Sequence, residues 1–109
     1  MTSAAIIAIR ASEAELALIA KGMKAIAHPL RLGAICLLAD GERSVGEICN
    51  TLGTSQPNIS HHLTRLADCK LLNTRKDANR VLYSVANPKL ATVVSLLREI
   101  YCPQDNLAP

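Results

Sequence analysis

The stretch "TSQPNISHHLTRL", residues 54–66, opens on small polar residues and closes on apolar ones at helical spacing. Ser55 is suited to cap a helix, because its hydroxyl can accept from an amide that the first turn leaves free. Pro57 fits that turn, where a missing N–H costs nothing. Ile59, Leu63 and Leu66 follow at steps of four and three and make one apolar stripe. Gln56, Asn58, Ser60, His61, Thr64 and Arg65 are left outward. The helix therefore carries a polar face that its own core does not need.

Working outward from this helix, the preceding residues Ser44-Val45-Gly46-Glu47 have the capping-box pattern, and a short third helix ends near Gly53. Upstream, "DGER" turns the chain, and Pro29 begins a second helix running to about Ala39 with Leu32, Ile35, Cys36 and Ala39 inward. A first helix is expected over residues 12–27, with Leu16, Ile19, Ala20, Met23 and Ile26 on its apolar face and His28 shaping the junction. Downstream the period changes. "LLNTRK" and "VLYSV" are short β-prone runs joined by "DANR", which predicts a hairpin at about 71–85. Pro88 starts a last helix with Leu90, Val93, Val94, Leu97, Ile100 and Tyr101 as its apolar side. This gives one domain over 12–103, a flexible N-terminal segment over 1–11 and a C-terminal tail over 104–109.

The predicted architecture is mainly α with a small β-hairpin. Two helices joined by a short glycine-containing turn and followed by a hairpin describe a winged helix-turn-helix. Composition agrees with such a small helical domain. A chain of 109 residues with no Trp or Phe and only two Tyr must build its core from Ala, Leu, Ile and Val. A globule of this size buries only about 60 to 65% of its unfolded surface, so a second copy is a reasonable way to complete the core. No apolar run reaches the roughly 18 residues of a membrane span, and "AAIIAI" is too short for a signal peptide. The expected location is the cytoplasm.

The formal charge of +3 is unevenly spread. From Ser55 to Arg80 five basic residues (Arg65, Lys70, Arg75, Lys76 and Arg80) face two acids, while the rest of the chain balances at seven against seven. A basic segment that coincides with the outward polar face is an electrostatic footprint for a polyanion. Gln and Asn can pair bidentately with adenine and Arg with guanine, so the helix at 55–66 suits the major groove of double-stranded DNA. Arg75, Lys76, Asn79 and Arg80 at the hairpin would then meet phosphates or the adjacent minor groove. A winged-helix module used only for protein contacts would leave this face and this charge without a role. A thiol enzyme lacks support, since the chain has no C-x-x-C, no base beside a cysteine in sequence and no cofactor fingerprint.

"HPLRLGAICLL", "SVGEICNTLGTSQPNISHHLTRLADCKLLNTRKDANRVLYSV" and "YCP" together resemble the ArsR family of bacterial winged-helix repressors, over roughly residues 16–103. The resemblance implies homodimers paired through the first and last helices, a two-fold symmetric DNA operator, and repression relieved by an inducer. It does not fix the inducer. The family's metalloid site, a Cys-x-Cys in the third helix, falls here on Ser44 and Gly46, with only Cys49 nearby. The zinc site of its last helix is also missing, because residues 87–103 hold no His and one acid, Glu99. Neither a metal nor a cofactor is therefore expected. Cys36 and Cys102 match the cysteine pair of the family's sulfide- and redox-responsive subgroup. That match implies release from DNA when the two thiols are oxidised or bridged by reactive sulfur species. Thiolate capture of a metalloid remains the alternative. Cys49 and Cys69 are expected to fill small spaces, as buried free cysteines do. His62, beside the apolar stripe, is expected to be packed and hydrogen-bonded, and His61 faces outward.

Overall fold

The computed structural model describes residues 12–103, so the expected flexible segment 1–11 and tail 104–109 lie outside the described residues. The order is α1 (Glu13–Ile26), α2 (Pro29–Leu38), β1 (Arg43–Ser44), α3 (Val45–Leu52), α4 (Gln56–Asp68), β2 (Leu72–Asp77), β3 (Arg80–Val85) and α5 (Lys89–Tyr101). This is a winged helix-turn-helix, with α3 and α4 as its paired helices and β2–β3 as its wing.

Local chemistry explains the boundaries. Ser12 and Ser44 begin α1 and α3 with full capping boxes, each serine hydroxyl accepting from the glutamate three residues on while that carboxylate accepts the serine N–H. His28 begins α2, its Nδ1 accepting the Leu30 N–H at 3.1 Å. Gly53 ends α3 in the left-handed conformation (φ 67°), which a glycine adopts without steric cost. Ala78, in the two-residue turn of the wing, takes a positive φ of 57° although it carries a Cβ.

The sheet has three strands in the order β1-β3-β2, not the two of an isolated hairpin. The expectation treated "DGER" only as a turn, but Arg43 and Ser44 pair antiparallel with Tyr83 and Leu82. Two residues are too few for an alternating pattern to show. The added strand ties the wing to the start of α3. In the wing itself Leu72 lies opposite Val85 and Asp77 opposite Arg80. Leu72 and Leu82 are buried, while residues 73–77 project into solvent.

The core consists of Ala25, Ile26, Ala34, Ile35, Leu38, Val45, Ile48, Ile59, Leu63, Leu66, Leu72 and Tyr83. Two helical faces differ from expectation. On α2 the buried positions are Arg31, Ala34, Ile35 and Leu38, whereas Cys36 and Ala39 are exposed and Leu32 is half-buried. That helix is apolar almost all round, so its inward face is set by its packing against α3, α4 and α5 rather than by a stripe. On α1 only Ala25 and Ile26, at its C-terminal end, are buried. Leu16, Leu18, Ile19 and Met23 are exposed, as are Val93, Leu96, Ile100 and Tyr101 on α5. No helix among the described residues is long and apolar enough to cross a membrane.

Candidate nucleic-acid interface

Ile59, Leu63 and Leu66 are each fully buried, and this fixes the rotation of α4 about its axis. The opposite face is thereby turned to solvent. Gln56, Asn58, His61, Thr64 and Arg65 are exposed, and Ser60 is half-buried. The Ser55 hydroxyl accepts the Asn58 N–H at 3.3 Å, closing the first turn, as its sequence position suggested. Asn58 is itself oriented, since its Nδ2 donates to Thr54 Oγ1 at 2.9 Å. The turn before α4 is held by Cys49, whose carbonyl accepts from Gly53 and Thr54 and whose thiol donates to the Thr54 carbonyl at 2.7 Å. Cys49 thus fixes the geometry between α3 and α4.

The wing lies on the same side. A cleft of about 360 Å³ is lined by Gln56 and Ser60 from α4, by Asn79, Arg80 and Tyr83 from the wing, and by Ser44 at the start of α3. The structure therefore brings together four of the residues proposed from sequence to read or hold DNA. Lys76 is exposed further along the wing and has no ion-pair partner among the described residues.

Arg75 is placed differently from its neighbours. Its Nε and Nη2 donate to both carboxylate oxygens of Glu42 at 2.7 Å each, a two-pronged pair joining β2 to the loop before β1. The guanidinium holds the Glu42 carboxyl below its ordinary pKa, and Glu42 raises that of Arg75. Arg80 stands 3.8 Å from Asp77, a looser contact. Glu42 was missed by sequence reasoning. Its only signal was an acid in a turn, and its partner lies 33 residues away.

The cysteines divide into two pairs. Cys49 and Cys69 are half-buried against the core, whereas Cys36 on α2 and Cys102 at the end of α5 are exposed, and all four are free. Helices α2 and α5 pack on one another. The Cys102 N–H donates to the Arg98 carbonyl at 2.7 Å, which holds the backbone of Cys102 at the end of α5. Among the described residues no cluster of three or more His, Cys, Asp or Glu is arranged to hold a metal.

His62 departs from expectation. It is packed, with its ring 4.2 Å from that of His28 and 5.6 Å from that of His61, but its buried Nδ1 has no hydrogen-bond partner. Burial lowers its pKa, and the nearby charges of His28, Arg31, His61 and Arg65 lower it further. The apolar stripe that placed His62 near the core could not reveal that its neighbours are basic.

Comparison with known proteins agrees with this arrangement. The model for "bacterial regulatory protein, arsR family" matches residues 28–74. The biofilm growth-associated repressor of Agrobacterium fabrum is 40% identical over 86 residues, which span 78% of this chain and 74% of that protein. The structure of HlyU from Vibrio cholerae superposes with a TM-score of 0.75 at 37% identity, covering 84% of this chain and 99% of HlyU. A homodimeric winged helix-turn-helix DNA-binding domain from Mycobacterium bovis superposes with a TM-score of 0.74 at 29% identity, covering 90% and 92%.

Proposed function

The chain belongs to the ArsR family of bacterial regulatory proteins, and from that premise we propose that it is a cytoplasmic, homodimeric repressor that leaves its operator when a thiol pair is oxidised. It is a transcriptional regulator, and its relatives are regulators rather than enzymes. The carrying observation is the meeting of Gln56 and Ser60 with Asn79 and Arg80 in one cleft, which lets helix and wing engage the same duplex. Ser55, Gln56, Asn58, Ser60, His61, Thr64 and Arg65 supply base-edge and phosphate contacts from α4. Lys76, Asn79 and Arg80 supply backbone contacts from the wing, with Arg75 midway along β2.

Dimer formation is supported by the apolar surface left on α1 and α5. Leu18 is 71% exposed and Ile100 69%, and with Leu16, Ile19 and Met23 on α1 and Val93 and Leu96 on α5 they are apolar surface that a solitary domain has no reason to keep. Two copies joined there would set two reading helices about one DNA turn apart, roughly 34 Å.

The signal reading rests on Cys36 and Cys102, exposed free thiols on two helices that pack together. With a low-molecular-weight persulfide as oxidant, the two thiols lose two protons and two electrons to form a disulfide. The persulfide is reduced to a thiol and hydrogen sulfide. Such a bond needs Cα atoms within about 7 Å, so closing it draws the end of α5 against α2. Because α5 also carries dimer surface, this alters the spacing of the reading helices, and a coupling of about 1 to 3 kcal/mol changes DNA affinity roughly 5- to 150-fold.

The test is affinity for the protein's own upstream DNA before and after persulfide treatment, with intact mass as a check. Wild type should release and recover with reductant. Cys36→Ser and Cys102→Ser should bind constitutively, while Cys49→Ser and Cys69→Ser still respond. Normal release by Cys102→Ser would sink the dithiol switch. On the wing, Lys76→Ala or Arg80→Ala should weaken all sequences alike and reduce the salt slope by about one.

A further inference from the structure

Arg31 is 9% exposed, and its buried Nε has no hydrogen-bond partner among the described residues. A buried donor left without an acceptor is costly, so an arginine whose Nε is orphaned in a largely buried side chain marks a place where an acceptor, and by its charge an anion, is suited. The surroundings have the same sign. His62 presents a buried, unpartnered Nδ1, the His28 ring lies tilted against it at 4.2 Å between centroids, and the titratable groups that act on His62 are all basic: His28, Arg31, His61 and Arg65. Three elements contribute to the cluster: the junction before α2, the first turn of α2, and the flank of α4.

From this juxtaposition we infer that Arg31, His28 and His62 form a seat for an oxyanion, and that its ligand is a backbone phosphate of the bound duplex. The second half of the inference rests on the DNA-binding reading above. Its geometry follows from α4. His61 and Arg65 are exposed on the reading face and His62 is the next residue round the helix, so the seat lies at the edge of that face. A helix placed in the major groove is flanked by phosphates, and groups at its edge meet them before they meet bases. A phosphate there would accept from the Arg31 guanidinium in a charge-assisted pair and from an imidazole N–H of His62 or His28. Since His28 Nδ1 already accepts the Leu30 N–H, the proton of neutral His28 sits on Nε2, and that nitrogen is the one it can offer.

Two measurements on the full chain decide the matter. In the first, binding of wild type and Arg31→Met to the protein's own upstream DNA and to a random duplex is followed across a salt series. The seat predicts that Arg31→Met loses about one unit of salt slope and roughly tenfold in affinity on both duplexes. In the second, the Tm of each protein is read in inorganic phosphate and in chloride at equal ionic strength. A rise in phosphate for wild type that Arg31→Met lacks shows that a free oxyanion also occupies the seat. Loss of salt slope without that rise assigns the seat to the DNA backbone alone, and the rise without loss of slope assigns it to a free oxyanion. If both arms match wild type, the seat is overturned. If wild type binds no duplex, the DNA reading has failed on its own and the phosphate arm decides the seat. Arg31→Lys, which keeps the charge, should restore most of the slope, and Arg31→Gln, which removes the charge but keeps a polar side chain, takes the place of Arg31→Met should the latter fail to fold.

Discussion

Helices α1 and α4 start alike and end in different surroundings. Each is opened by a serine that accepts from the third residue of the helix, and each carries apolar residues at three- and four-residue steps. On α4 the stripe Ile59, Leu63 and Leu66 is wholly buried, whereas on α1 Leu16, Ile19 and Met23 are about half exposed. The same pattern therefore reports that a face will be covered, without saying by what. For α4 the cover is this chain's own α2, α3 and β2. For α1 it is something outside the single chain, and a second copy is the cover proposed above.

The largest effect should come from cutting into the covered stripe. Leu63→Ala leaves a cavity in a site with no solvent access and should cost about 2 to 5 kcal/mol of unfolding free energy. Ile19→Ala, the matching change on α1, should cost little in denaturant melts run at concentrations where the chain is monomeric. Equal losses from the two variants would break the comparison, since α1 would then be packed as firmly as α4.

Next in size is a charge placed on the uncovered stripe. Ile19→Glu should leave helicity and the monomer's melting unchanged, yet shift the molecule from dimer to monomer in sedimentation and weaken operator binding with it. A variant that stayed dimeric would move the interface away from α1.

How far the sequence could be read follows from the same contrast. Where one face is polar and the other apolar, as on α4, the stripe, the cap at Ser55 and the outward set were legible, save that Ser60 is half-buried. Gly53 and the hairpin were legible for similar reasons, because turn chemistry is local. On α2 the apolar residues run round the whole helix, so Cys36 was placed inward although it is exposed, and Arg31, which is buried, drew no notice. Contacts between distant segments were invisible. Neither the pairing of Arg43–Ser44 with β3 nor the grip of Glu42 on Arg75 leaves a local pattern. The adjoining histidines His28 and His62 are 34 residues apart in sequence and belong to the same class of unreadable contact.

The caps sharpen the comparison further. In α1 the Ser12 hydroxyl accepts the Glu15 N–H at 3.1 Å, and in α3 the Ser44 hydroxyl accepts the Glu47 N–H at the same distance. Removing either hydroxyl frees one helical amide, worth about 1 kcal/mol where the helix is integral to the fold. Ser44→Ala should therefore lower global stability by that amount, for α3 carries buried Val45 and Ile48. Ser12→Ala should instead fray α1 locally, seen as faster hydrogen exchange in its first turn with the melting midpoint of the monomer unmoved.

The smallest effect is one of pH, and it separates the same two helices. Hydrogen bonds from Ser12 and Ser44 lower the pKa of Glu15 and Glu47, the backbone N–H acting most strongly in each case. A carboxyl whose folded pKa is depressed binds fewer protons when folded than when unfolded. Its contribution is thus complete above the unfolded value of about 4.3 and is lost as pH falls through the lower folded value. Both groups are exposed, so the loss is modest and salt-sensitive. For Glu47 it should appear as acid destabilisation of the whole fold, because α3 unfolds with the core. For Glu15 it should appear only as fraying of α1 in the monomer, and as easier dissociation once α1 is shared between copies. Gln can still accept the serine N–H but does not titrate, so Glu47→Gln should flatten the acid limb of the stability curve, while Glu15→Gln leaves the monomer's curve as it was. A flattened curve from Glu15→Gln, measured in the monomer, would show that α1 is as much a part of the cooperative fold as α3, and the contrast between covered and uncovered helices would fail.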